Sequence, residues 1–201
     1  MTVAGVNDES SSRGERVRRG LIEAAFRIIA EQGVAGISHR AVARESGTSH
    51  GLVTYHFGAI EGLLRATMEY VGAANLADQE RYFPQLDAAT SAEQLVAVLT
   101  RNAERRLVKN RDMGLALMEL RLAAARNAEL RPLVREWGRG YTLRVAAALQ
   151  RLGAASPRED AAEITALISG LVVDQLSLPR PRFLSAVLQP ALARRVRASL
   201  N

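Results

Sequence analysis

The chain has 201 residues, 48% of them hydrophobic but only 4% aromatic, with a formal net charge of +6 and a sequence pI near 10.6. It has no cysteine, which excludes disulfides and thiolate metal sites, and its longest apolar run, residues 164–173, is far short of the ~20 residues a membrane span needs. The basic balance does not by itself point to nucleic acid, because residues 1–65 carry eight arginines against seven acids, a net charge of only +1.

Residues 1–14 are polar, lack the apolar stretch of a signal peptide, and predict a disordered tail. With no signal peptide, no membrane span and no cysteine, the expected location is the cytoplasm. A helix follows to about Gln32. Val17, Leu21, Ala25, Ile28 and Ile29 recur at helical spacing, and Ile22 and Phe26 widen the stripe. Arg16, Arg18 and Arg19 at its start form either a solvated face or a set of phosphate contacts. Gly33 is the expected stop.

Residues 38–57, SHRAVARESGTSHGLVTYHF, read as two short helices joined by a tight turn. Ser38 caps the first, which runs to Ser46, and Ser49 caps the second, over residues 50–56. Gly47 stands where the backbone must turn with positive φ. Ala43 is small enough for the helices to approach, and Val42, Val53 and Phe57 supply apolar contacts. This is the pattern of a helix-turn-helix, whose second helix enters the DNA major groove.

Beyond Gly58, a long helix is predicted over residues 60–82, stopped by Pro84. Thr90 to Gln94 offers overlapping capping boxes for a helix to about Lys109. Asp112 caps another to about Ala125, and Asn127 with Pro132 marks a break and restart, opening a helix to about Gly153. Ser156, Pro157 and Glu159 form the clearest start signal in the chain. The helix they open is apolar on more than one face, and a last helix over residues 181–200 repeats that pattern. Such helices need burial on two sides. A twofold dimer through Leu167, Leu171, Leu184 and Leu188 is the economical solution. No strand pattern or internal repeat is evident.

Over residues 19–64 the chain resembles the TetR family of bacterial one-component transcriptional regulators. LIEAAFRIIAEQG matches the family's first helix, ISHRAVARESGTS its second helix and turn, HGLVTYHF its recognition helix, and EGLL the opening of its fourth. The resemblance implies an all-α fold: a three-helix DNA-binding domain with a helix-turn-helix, then a C-terminal helical-bundle regulatory and dimerisation domain. The expected division is a tail at 1–14, a DNA-binding domain at 15–58 and a ligand-binding and dimerisation domain at 59–201. Two positions depart from the family pattern. Ala59-Ile60 replaces a polar cap followed by lysine, and Thr54 replaces a common tyrosine. Both changes imply weaker backbone anchoring, with Arg40, Tyr55, His56 and the N-terminal arginines expected to take a larger share.

Phosphate contacts set register and base-edge contacts set sequence. The groove-facing residues are expected to be His50, Gly51, Leu52 and Thr54: His50 as a donor to a guanine acceptor or thymine O4, and Leu52 against a thymine methyl. Ser38, Arg40, Thr48, Ser49, Tyr55 and His56 complete the DNA-contacting set, with Tyr55 and His56 alternatively read as packing residues. His39, His50 and His56 all fall in this region, but His50 and His56 are six apart and no Asp or Cys accompanies them, so no metal site is expected.

In the regulatory domain Met113, Leu117, Met118, Trp137 and Tyr141 are candidate pocket lining, with Arg121 and Asp174 as polar contacts; ordinary core and surface roles are the competing reading. No nucleophile–base pair, glycine-rich phosphate loop or telling carboxylate pair is present, so neither an enzyme nor a cofactor is expected. The sequence thus predicts a ligand-responsive regulator, most economically a repressor. It would bind a palindromic double-stranded DNA operator as a homodimer and be released by a small-molecule effector. The alternative is a helical small-molecule-binding protein that has lost DNA binding.

Overall fold

The computed structural model describes residues 4–201, with side chains from Arg13 onward. Helices dominate, and no strand occurs among the described residues. The first three helices are α1 (Ala4–Gln32), α2 (His39–Ser46) and α3 (His50–Phe57), and a 3-10 turn at Val34–Gly36 separates α1 from α2. The long α4 (Ile60–Glu80) is followed by the short α5 (Phe83–Asp87), α6 (Ala92–Val108), α7 (Arg111–Arg126) and α8 (Arg131–Arg151). The chain closes with α9 (Pro157–Ser177), a π turn at Leu184–Leu188 and α10 (Gln189–Ser199).

Several boundaries differ from the sequence reading, each for a local reason. Residues 4–14, expected to be disordered, are part of α1. No proline interrupts them, and once a helix is nucleated each further residue brings its own hydrogen bond; residues 1–3 of the expected tail lie outside the described residues. Pro84 does not merely stop α4 but sits in the first turn of α5, where its missing N–H costs nothing. Asp112 lies inside the first turn of α7. Ser156 makes no side-chain cap; its carbonyl instead accepts the Asp160 N–H at 2.9 Å, and Pro157 opens the helix. The last helix is interrupted because Pro190 has no N–H and its ring crowds the carbonyl one turn back. The π turn just before it takes up that mismatch.

Contacts divide the chain into two compact units. The first runs through Val71 and takes in Leu115–Arg131; the second comprises Gly72–Gly114 and Pro132–Asn201. In the first unit Leu21, Ala24, Ala25 and Ile28 of α1 bury one stripe against Val42 and Ala43 of α2, Val53 of α3 and Leu63 of α4. Each fully buried Leu or Val contributes about 1.5–3 kcal/mol. Val17, Phe57 and Ile60 pack at the margin of this core, and Phe26 meets Tyr70 edge to face at 6.1 Å.

In the second unit α9 buries Ile164, Ile168, Val172 and Leu176, one residue per turn, while Leu167 and Leu171 are half-buried and Val173 is exposed. Arg195 ties α10 to α9, donating to Asp160 at 2.6 Å and Glu163 at 2.8 Å. Leu184 remains half-buried. Leu188, expected at a dimer interface, is fully buried in its own unit. The π turn shifts which side chains face inward, so Leu188 is core and offers a partner no surface.

Candidate nucleic-acid interface

The candidate interface is built from α2, the turn at residues 47–49 and α3. Ser38 Oγ accepts the Ala41 N–H at 3.1 Å and Ser49 Oγ accepts the Leu52 N–H at 3.2 Å, so each helix starts on a serine cap. Gly47 adopts φ 67°, ψ 28°, the left-handed conformation that ends α2. The turn is closed by the Thr48 N–H to the Ala43 carbonyl at 2.9 Å and by Ser46 Oγ, which bonds the Val42 carbonyl at 2.7 Å and meets Thr48 Oγ1 at 2.9 Å. These bonds satisfy the polar groups that a tight turn would otherwise strand.

Val53 is wholly buried, and it fixes which face of α3 points away from the protein. His50, Gly51 and Thr54 are exposed, and Leu52 is half-buried. Tyr55 is 82% exposed, which removes the packing alternative for that residue. His56 is half-buried, its ring 5.2 Å from Tyr55 and 6.2 Å from Phe57. Arg40 and the caps Ser38 and Ser49 are exposed, and Thr48 is half-buried behind Ser46. His39 and His50 meet edge to face at 5.5 Å. Arg18 lies 5.3 Å over the Phe57 ring, so at least one of the α1 arginines is held beside α3.

Sequence reasoning missed two supports. An added Cβ at Gly62 would stand 2.3 Å from the Phe57 carbonyl oxygen, so α4 closes onto the end of α3 only because residue 62 is glycine. Glu119 of α7 accepts the Val34 N–H at 3.2 Å across 85 positions of sequence. Neither has a local signature. A mid-helix glycine reads as a weak helix former, and a lone glutamate reads as surface.

The candidate pocket residues separate. Trp137 and Tyr141 are buried one turn apart on α8, in the second unit together with half-buried Met113 and Asp174. Asp174 is ion-paired with Arg180. Leu117 is buried, Met118 half-buried and Arg121 exposed, and all three belong to the first unit. Burial pushes the Tyr141 hydroxyl up to about 12, with Asn102 and Arg106 pulling the other way. No helix among the described residues is long and apolar enough to cross a membrane.

Comparison with known proteins places this geometry. Residues 21–67 match the family model described as "Bacterial regulatory proteins, tetR family", and residues 86–200 match "Tetracyclin repressor-like, C-terminal domain". A protein from Burkholderia mallei, "HTH-type transcriptional regulator BetI", is 32% identical over 159 residues, covering 77% of this chain and 78% of that one. A Streptomyces coelicolor structure, described as a member of the TetR family (SCO1917), is 28% identical with TM-score 0.70, covering 89% of this chain and 97% of its own. The structure of "multidrug binding protein EbrR complexed with imidazole" is 27% identical with TM-score 0.67, covering 89% and 93%.

Proposed function

Because the chain belongs to the tetR family of bacterial regulatory proteins, we propose that it is a ligand-released repressor that binds a palindromic operator as a homodimer. The observation that carries this reading is the pairing of Val53, wholly buried, with Tyr55, 82% exposed, on a helix capped by Ser49. That arrangement supports an α3 anchored by one face and free to enter a major groove with the other. His50, Gly51, Leu52 and Thr54 read base edges. Ser38, Arg40, Thr48, Ser49, Tyr55 and His56 hold the phosphates.

Residues 15–58 serve DNA binding and 59–201 serve effector binding and dimerisation. Half-buried Leu167, Leu171 and Leu184 supply the dimer face, supported by the neighbouring exposed Val173 and Leu178. Two copies place two recognition helices about one or more helical turns apart. The effector acts by binding better to a conformer in which that spacing no longer fits, and it shifts the equilibrium only by its difference in affinity between the two states. Its chemistry is that of a small molecule, consistent with the multidrug-binding description of the EbrR neighbour. A DNA-bound regulator acts in the cytoplasm and performs no catalysis.

The test is gel retardation with the DNA immediately upstream of the chain's own coding sequence, against a random duplex of equal length. A discrete complex containing two chains per duplex is expected. No preference over the random duplex returns the chain to the class of helical small-molecule-binding proteins.

A further inference from the structure

In the second unit, Gln79 Oε1 on α4, Asn102 Oδ1 on α6 and Tyr141 Oη on α8 are buried with no partner at close hydrogen-bond distance, although Asn102 lies near enough to the Tyr141 hydroxyl for a side-chain hydrogen bond to hold its pKa down. Each residue is at least 96% buried. They share one level of the unit. Along α4 and α8, Gly72 stands against Trp137 and Leu76 against Gly140, so the two helices run side by side in the same direction and Gln79 comes level with the turn that follows Trp137. Along α6, Arg105 pairs with Asp78 at 2.5 Å and the Arg101 carbonyl accepts from Tyr82, which brings Asn102 to the same level from the opposite direction.

The neighbouring bonds fix the orientation of the free amide. The Trp137 carbonyl can only accept, so Asn75 presents Nδ2 to it, at 3.2 Å. Asn75 Oδ1 therefore faces Gln79 and takes its Nε2 at 3.5 Å, which leaves Gln79 Oε1 as the free end of the chain. That end is an acceptor. Among the buried charged groups described, the one acid is Asp160, already paired with Arg195, so no buried carboxylate is free to neutralise a cation. Trp137, held beside Gly72 where a Cβ would meet its Nε1 at 2.4 Å, puts a buried aromatic ring one turn before Tyr141 on α8.

We infer that Gln79, Asn102 and Tyr141 form the effector-contacting polar set, and that the effector is a neutral small molecule with a flat apolar body and hydrogen-bond donors of the amide or alcohol type. This rests on the ligand-responsive reading above. Gln79 Oε1 without a partner, at the level of a loosely paired Asn102 and Tyr141, lowers the stability of the empty protein, and a donor-bearing ligand offsets that cost.

The experiment uses the full chain, with Trp137, its single tryptophan, as the fluorescent reporter. The probes are benzamide (neutral, with N–H donors), acetophenone (neutral, without donors) and benzyltrimethylammonium (a cation without donors). A saturable response to benzamide, at least tenfold weaker for the other two and about tenfold weaker in Gln79→Leu and Tyr141→Phe, is expected. Because Gln79→Leu also removes the Nε2 bond to Asn75 and Tyr141→Phe the hydroxyl beside Asn102, probe binding by both variants is measured at a temperature where circular dichroism shows them folded. No saturable benzamide response, an equal or stronger response to the cation, or wild-type benzamide affinity in both folded variants overturns the assignment. Gel retardation of the wild-type chain is scored separately. Probe binding without DNA retardation leaves this site standing and removes the repressor reading; retardation without probe binding does the reverse.

Discussion

Glu119 Oε2 accepts the backbone N–H of Val34 at 3.2 Å, joining α7 to the turn that follows α1. Gly33, the residue before Val34, has φ 75°, and an added Cβ there would stand 2.8 Å from the same carboxylate oxygen. The glutamate thus fills the space that the glycine leaves and satisfies a donor that the 3-10 turn cannot. Glu119→Leu should strand the Val34 N–H and cost about 1–2 kcal/mol, lowering the melting temperature by roughly 2–8 °C for a chain of this size. Glu119→Gln keeps an acceptor in place and should lose less than half as much. Equal losses in the two variants would mean that charge, not the hydrogen bond, holds the contact.

Tyr55 and His50 are both exposed on α3 but have different expected roles. Tyr55→Ala removes a side chain with almost no burial, so the melting temperature should hold while affinity falls for every duplex alike. His50→Ala should relax preference at one base position, worth about 1–3 kcal/mol of discrimination, and leave binding to random DNA nearly unchanged. Titration of both variants against a set of single-base operator changes checks this. The reverse pattern would exchange the assignments.

What was legible in the sequence follows from the range of each interaction. Ser38, Gly47 and Ser49 act within one turn of themselves, so cap and turn chemistry placed α2 and α3 almost to the residue. The α1 stripe was readable because its partners are apolar and periodic. Leu188 was misread because its burial depends on the π turn ahead of Pro190, a local break in the period that the pattern assumed to be regular. Gln79 and Asn102 were invisible for a different reason. A polar residue on a helix reads as solvent-facing, and only the helices packed across it show that it is buried. Glu119 and Gly62 act on residues whose proximity the tertiary fold creates.

Two glycines of the first unit, Gly62 and Gly51, should respond to alanine in opposite ways. Gly62→Ala puts a Cβ 2.3 Å from the Phe57 carbonyl oxygen, a backbone atom that cannot swing aside. The start of α4 must then shift from the end of α3, at a cost of about 1–3 kcal/mol, and DNA affinity should fall with stability. At Gly51 nothing lies within 4 Å of an added Cβ, so alanine should stabilise the free protein by up to about 1 kcal/mol through helix propensity. If the bare backbone at residue 51 is what approaches the bases, that more stable variant will nonetheless bind operator more weakly. Melting curves and retardation measured on the same preparations separate the two effects, and unchanged operator affinity in Gly51→Ala would remove residue 51 from the interface.

Ile60 occupies the position where the TetR family pattern carries a lysine, and its side chain packs partly buried at the margin of the core around Leu21 and Val53. A lysine there can lay its four-carbon stem along the same apolar surface while its ammonium reaches solvent. Ile60→Lys should therefore keep most of the packing and add one phosphate contact per subunit. Binding should tighten for any duplex, operator or random, and the slope of log affinity against log salt should steepen by about 0.9 per subunit. A unchanged slope at unchanged stability would mean that residue 60 faces away from the phosphates. A lower melting temperature with weaker binding would mean that the branched side chain of Ile60, rather than its length, is what seats α4 beneath the recognition helix.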